Sequence, residues 1–138
     1  MHIPDVDSAL KELVRVLRPG GYLIIAETNA NAPETYAFRA YWKLARKRIR
    51  AGRKPSGVEA WSETAAGPLL SRKTSASWLT HFLGNLGVKR ICRITGELTE
   101  LYVYGRRLRG MIHRLNRLWF GLHAPPSLAI GNFYLFRK

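Results

Sequence analysis

Cysteine is nearly missing from this chain: Cys92 is the only one in 138 residues. A single thiol cannot close a disulfide within the chain, so a disulfide scaffold is excluded and a reducing compartment is expected. Acidic residues are also scarce, nine against 23 lysines and arginines, for a net charge of +14. No apolar run approaches the roughly 18 residues of a membrane span, and the first residues lack the basic-then-apolar order of a secretion signal. The expectation is a cytoplasmic protein, with peripheral contact to a membrane left open. His2, His81, His113, His123 and Cys92 lack metal-ligand spacing. No Gly-x-Ser-x-Gly elbow exists, and Cys92, inside an apolar strand pattern, reads as core rather than nucleophile. None of the 12 glycines stands in a Gly-x-Gly. The nearest phosphate-loop look-alike, from Gly52 to Gly57, continues as Val58-Glu59 where lysine and a hydroxyl residue are needed.

What is present is a mass of 15.7 kDa, enough for one domain, with 46% hydrophobic and 11% aromatic residues, which excludes disorder. The positive charge is local. Residues 39–54 hold Arg39, Lys43, Arg46, Lys47, Arg48, Arg50, Arg53 and Lys54 without an acid. Residues 106–117 hold Arg106, Arg107, Arg109, Arg114 and Arg117, again without one. The rest of the chain is close to neutral.

Hydrophobic spacing organises the chain. Val6, Ala9, Leu10, Leu13, Val14 and Leu17 recur at three- and four-residue steps and predict a helix over 5–17, capped by Asp5 or Asp7. Pro19 stops it and Gly20-Gly21 allow a tight reversal. Residues 22–26 carry no polar side chain and predict a strand covered on both faces, as in a parallel sheet. A second helix is predicted over 33–50, with Tyr36, Ala37, Ala40, Tyr41, Leu44, Ala45 and Ile49 as its apolar stripe. Residues 51–74, punctuated by Pro55, Gly57, Gly67 and Pro68, read as a long irregular loop. Ser75 caps a third helix through Leu86, with Trp78, Leu79, Phe82 and Leu83 inward and Gly87 closing it. A strand over 88–95 follows. Residues 97–122 keep helical spacing, weakened by Gly105 and Gly110, with a strand over 101–104 as the competing assignment. A terminal strand is predicted over 129–137.

The ungapped block His2-Ile3-Pro4-Asp5, Ala9-Leu10-Lys11-Glu12 and Arg15-Val16-Leu17-Arg18-Pro19-Gly20-Gly21-Tyr22-Leu23-Ile24-Ile25 resembles class I S-adenosylmethionine-dependent methyltransferases of type 11. In that family the block forms the helix before the fifth strand and enters that strand. The resemblance implies an α/β fold: the C-terminal half of a Rossmann-like methyltransferase domain, an incomplete sheet with flanking helices. Residues 1–29 then carry a helix and central strand, 30–74 a lid-like basic helix and loop, and 75–138 a helix-strand-helix-strand region. It also implies S-adenosylmethionine as cofactor, although the glycine-rich loop and acidic strand end that grip it are absent, so that this chain alone is expected to be inactive.

Ligands of open α/β sheets lie beyond the carboxyl ends of the strands. On that rule Glu27 and Asn29 point toward a substrate, and His2 borders the same pocket by its place in the family. His2 or Glu27 is the candidate base that takes the acceptor's proton; the alternatives are a frayed terminus and a solvated acid. Asn29, Tyr36 and Arg39 are the candidate acceptor-binding residues. The acceptor itself is unidentified, with anionic or lipid-linked molecules suggested by the arginines and lysines interleaved with Phe38, Tyr41 and Trp42. The competing function is a non-enzymatic basic module that binds an anionic membrane surface or, less favoured, nucleic acid. For residues 97–122 two readings stand: packing over the sheet edge, or lying on a membrane. A homodimer, or association with an N-terminal half, would cover the apolar edge expected of an incomplete sheet.

Overall fold

The computed structural model describes residues 3–44, 50–65, 67–101 and 105–138. Asp5 begins the first helix, α1 (Val6–Val16), by accepting a hydrogen bond from the Ser8 amide at 3.0 Å. The hydrogen bonds from Ser8 hold the Asp5 carboxyl below its ordinary range. The apolar spacing resolves into Val6, Leu10 and Val14 buried on one stripe, while Leu13 and Val16 stay exposed. At the other end Lys138 reaches back, its ammonium donating to the Val14 and Leu17 carbonyls at 2.6 and 2.8 Å. A cation on the orphan carbonyls of a helix terminus is favourable both as a cap and toward the helix dipole. Gly20 then turns the chain at φ +76°, a left-handed conformation that a side chain would strain.

The chain enters β1 (Tyr22–Thr28), continues through α2 (Pro33–Leu44), and forms a hairpin meander of β2 (Arg50–Lys54), β3 (Gly57–Thr64) and β4 (Gly67–Thr74). Next come α3 (Ala76–Asn85), β5 (Lys89–Thr95), α4 (Arg106–Gly121) and β6 (Gly131–Arg137). The architecture is mixed α/β with two antiparallel three-stranded sheets, ordered β1-β6-β5 and β2-β3-β4. β6 pairs antiparallel with both neighbours, in register Ile25↔Tyr134 and Ile94↔Phe133. β1 and β5 therefore run in the same direction on either side of it.

One face of the β1-β6-β5 sheet carries the core. Leu23, Ile25, Tyr134 and Phe136 pack against Val6, Leu10 and Val14 of α1 and Ala76, Leu79 and Leu83 of α3, with Val88 between. Each fully buried aliphatic or aromatic side chain there contributes about 1.5–3 kcal/mol over exposure. Ser75 caps α3 through the Trp78 amide, and Gly87, at φ +79°, closes it.

Several sequence expectations are corrected. The 22–26 run is not covered on both faces: Tyr22, Ile24 and Ala26 point to the uncovered side, Ile24 with 70% of its surface exposed. It also pairs antiparallel, because the chain's last strand returns beside it. Cys92 lies on that same open face and is exposed, not core. The stripe expected on the second helix is solvent-facing, with Tyr36, Tyr41 and Leu44 exposed. The first turn of α2 is anchored through buried Thr35, whose hydroxyl donates to the Asn29 carbonyl at 2.9 Å, and in the next turn Lys73 lies over the Phe38 ring, 6.0 Å from its centroid. Residues 45–49 of the expected helix, and 102–104 of the competing strand, lie outside the described residues. The described residues of the 51–74 segment form the β2-β3-β4 meander rather than an irregular loop. The Lys54-Pro55-Ser56-Gly57 turn joins β2 to β3, and Gly57 fits only as glycine: at φ +147° an added Cβ would sit 1.9 Å from the Lys73 carbonyl oxygen.

The meander is tied to α1 by a buried charge pair. Arg72 donates through Nε to Glu59 Oε1 at 2.9 Å and holds the Ile3 and Pro4 carbonyls at 2.9 and 3.1 Å. Lys54 completes the pair from the rim, 2.7 Å from Glu59 Oε2. Burial disfavours the ionised Glu59 carboxylate, but the Lys54 and Arg72 bonds outweigh it and hold this carboxyl below 4.5.

Removing one partner of a buried pair strands the other, so Arg72→Met is expected to destabilise the fold by about 3–5 kcal/mol in denaturant melts. Because the Glu59 carboxyl is depressed, its contribution is present above pH 4.5 and is lost as pH falls through the lowered value. That acid-side decline should flatten in Arg72→Met. Among the described residues the buried Tyr134 hydroxyl has no hydrogen-bond partner, and Arg93 stacks over its ring instead, 5.5 Å from the centroid. Tyr134→Phe is therefore expected to raise stability, by about 1 kcal/mol, in the same melts.

Candidate functional site at the carboxyl ends of β1 and β5

Because β1 and β5 are codirectional, their carboxyl ends open on the same side, joined by the start of β6. Glu27 and Thr28 end β1, Gly96 and Glu97 follow β5, and Gly131 and Asn132 begin β6. With Ala26 and Phe133 these residues line a cleft of about 380 Å³. A second cleft of about 630 Å³ shares Gly96, Glu97 and Phe133 and extends to His113, Asn116, Arg117 and Phe120 of α4. The two clefts adjoin at these shared residues, with Glu27 on the β1 side and His113 and Arg117 on the helix side.

Glycine is required where the strands cross. The Gly96 amide donates to the Gly131 carbonyl at 2.8 Å and the Gly131 amide to the Glu97 carbonyl at 2.9 Å. An added Cβ at Gly96 would lie 2.9 Å from the Gly131 oxygen, and one at Gly131 3.0 Å from the Glu97 nitrogen. This crossing fixes the floor of the cleft.

Glu27 is half-buried, and its Oε2 accepts from the Thr74 hydroxyl at 3.0 Å. Burial pushes its carboxyl above 4.5, with the Thr74 hydrogen bond pulling weakly the other way. A carboxyl raised in this manner is better matched to proton transfer near neutral pH than a solvated one. Asn132, 2% exposed, is fixed from both sides, donating to the Ala129 carbonyl and accepting from Arg93 Nε at 3.0 Å.

The other predicted site residues fall elsewhere. Asn29 is 1% exposed and does not line the cleft. Its Nδ2 donates to the Ser127 and Ala129 carbonyls at 3.0 and 3.1 Å, and its Oδ1 accepts from the Asn31 amide. It clamps the β1 exit to the segment before β6. Tyr36 and Arg39 lie on α2, Tyr36 exposed and Arg39 half-buried, and neither lines the groove. His2 lies outside the described residues. Of the basic run 39–54, Arg53 donates to Asn31 Oδ1 at 3.0 Å and Lys54 serves Glu59, so part of that charge is structural.

Glu97, His113 and Arg117 were not singled out from the sequence. The strand-end rule that selects Glu27 also selects Glu97, once 88–95 is read as a strand parallel to β1. No spacing signal places His113 and Arg117 there.

The arrangement is thus a cleft at the carboxyl edge of a mixed α/β fold. Residues 1–25 match the family model described as methyltransferase domain, that of class I S-adenosylmethionine-dependent methyltransferases. The matched segment covers α1, the Gly20-Gly21 reversal and the first half of β1. No curated protein matches the chain.

The residues described do not fit S-adenosylmethionine by themselves. Gly57 lies under the Lys73 carbonyl, Gly96 and Gly131 hold the strand crossing, and Gly105, the glycine opening α4, stands alone before Arg106 and Arg107. None offers the paired-glycine approach to a helix start that a nucleotide-type ligand uses. No chemical step is routed through the cofactor. Among the described residues no group of three acidic, histidine or cysteine side chains is placed to hold a metal ion, and no helix is long and apolar enough to cross a membrane.

A raised carboxyl weighs on the fold where it is ionised. Its neutral form contributes fully below pH 4.5, and that contribution is lost as pH rises through the elevated folded value. Glu27→Gln should therefore match the parent near pH 4 and melt higher than it by pH 8. Identical melting profiles across that range would refute a desolvated Glu27.

Proposed function

We propose that this chain supplies the acceptor-side portion of an S-adenosylmethionine-dependent methyltransferase. The observation that carries the reading is the match over residues 1–25 together with the half-buried carboxyl that follows it: the matched helix and strand deliver Glu27 to the edge of a groove. In this reading Glu27 takes the proton released by the methyl acceptor, and Glu97 lines the same cleft beside it. His113 and Arg117 at the far end of the groove favour an acceptor bearing negative charge. Asn132 and the Gly96–Gly131 crossing keep the floor rigid, which matters because acceptor alignment governs the rate of transfer.

The cofactor grip then comes from strands docked on β1. Among the described residues β1 is hydrogen-bonded along Tyr22–Thr28 on its β6 side, and its apolar outer face has no covering layer. Arg72 and Thr74 of β4 already meet β1 at Thr28 and Glu27, so the edge left for added strands is that of residues 22–26.

The test combines two titrations. The chain alone should bind S-adenosylmethionine no more tightly than about 1 mM, equivalent to about −4 kcal/mol, by calorimetry. Co-expressed with the first four strands and glycine loop of a methyltransferase domain of the matched family, it should copurify, bind the cofactor and show slowed hydrogen exchange along β1. Failure to copurify, with unchanged exchange at β1, would overturn the reading.

A further inference from the structure

α4 is an unusual helix for a small protein: none of its residues is buried, and its links to the body are few. Trp119 Nε1 donates to Thr95 Oγ1 at 2.6 Å, and Asn116 exchanges hydrogen bonds with the Thr99 backbone at 3.2 and 3.0 Å. At 3.6 residues per turn the apolar side chains other than Phe120 occupy an arc of about 120°. One margin of the arc, Ile112 and Trp119, turns toward the body and is half-buried. The rest is open to solvent: Leu108, Met111, Leu115, Leu118 and Leu122, with Met111 and Leu118 each 60% exposed and Leu122 69%. Arg107 and Arg114 border this open stripe, Arg109 lies across the helix, and no acidic residue occurs from residue 101 to the end of the sequence given.

We propose that α4 is a docking helix for an anionic lipid surface, lying in the interface with its open leucine-methionine stripe among acyl chains and its arginines at headgroup level. The proposal is independent of the methyltransferase reading. Charge selects the occupant. A second copy packed antiparallel, stripe to stripe, would set the Arg107–Arg114 margin of one helix against that of the other, with no acid within the helix to relieve it. Nucleic acid would use the arginines but leave five aliphatic side chains without a partner, since bases stack on aromatic rings. An anionic bilayer satisfies both halves of the helix together. The first turn argues the same way. Arg106, Arg107 and Arg109 sit where the helix dipole repels cations, and Gly105 provides no side-chain cap. Lipid phosphates beside that turn would relieve the repulsion.

The test is co-sedimentation of the full chain with phosphatidylcholine vesicles, alone or mixed with phosphatidylglycerol. Binding is expected only to the anionic vesicles, and it should fade as salt rises from about 0.1 M to about 1 M, where screening shortens from about 10 Å to about 3 Å. Leu115→Glu with Leu118→Glu, both at exposed positions, should lower affinity at least ~100-fold while circular dichroism stays unchanged. Arg107→Gln with Arg114→Gln should lower it ~30-fold, from about 1 kcal/mol per basic residue near such a surface. Three results would each overturn the proposal: equal binding to both vesicle types or to neither, anionic-vesicle binding that survives the double leucine change, and a concentration-dependent dimer that the leucine change abolishes.

Discussion

The hydrogen bonding of β6 between β1 and β5 is the constraint on which the rest of the structure depends. Residues 131–137 pair on one side with residues 22–28 and on the other with 89–95, so the chain's last strand joins its first to its fifth. Its inward side chains, Tyr134 and Phe136, are fully buried at the centre of the core and receive α1 from one direction and α3 from the other. The pairing makes β1 and β5 codirectional without direct contact between them, which gathers Glu27, Glu97 and Asn132 at one edge. The closing contacts of Lys138 with α1 and Gly21 complete the same arrangement.

The second sheet braces the first and α1. Its hairpins depend on Gly57, where only a hydrogen fits under the Lys73 carbonyl, and its hold on α1 depends on the charge pair of Arg72 and Glu59. Thr74, at the end of β4, gives the Glu27 carboxyl its hydroxyl partner. The brace thus reaches the groove, and the Thr28 hydroxyl also donates to the Arg72 carbonyl, at 3.4 Å. Buried Glu59 and half-buried Glu27 respond to pH in opposite directions because one is paired with cations and the other is chiefly desolvated.

What was legible in the residues was local. Asp5 and Ser75 announced helix starts because short oxygen-bearing side chains satisfy free amides, and Gly20 and Gly87 announced reversals because they adopt left-handed conformations. The place of Glu27 at the carboxyl end of β1 was legible from the apolar run before it. The meander was not. Pro55, Gly57, Gly67 and Pro68 read as loop punctuation, yet they mark turns between strands whose polar, charged residues are retained by the Arg72 pair rather than by hydrophobic alternation. For Asn29, a polar residue just past a strand can face a ligand or clamp the backbone with equal local cost. Only the position of the Ser127 and Ala129 carbonyls decides between these.

By itself the sequence determined the helix-reversal-strand unit over residues 5–26, the caps, the amphipathic spacing of α4 and the concentration of cations in two segments. These follow from interactions between neighbours along the chain, where residue type and spacing suffice. Tertiary structure alone decided which neighbour β1 would take, which of its faces would be covered, that Glu97, His113 and Arg117 would share a groove with Glu27, and that the apolar stripe of α4 would face solvent. Those outcomes depend on contacts between residues tens of positions apart, for which periodicity specifies an apolar face but not its partner.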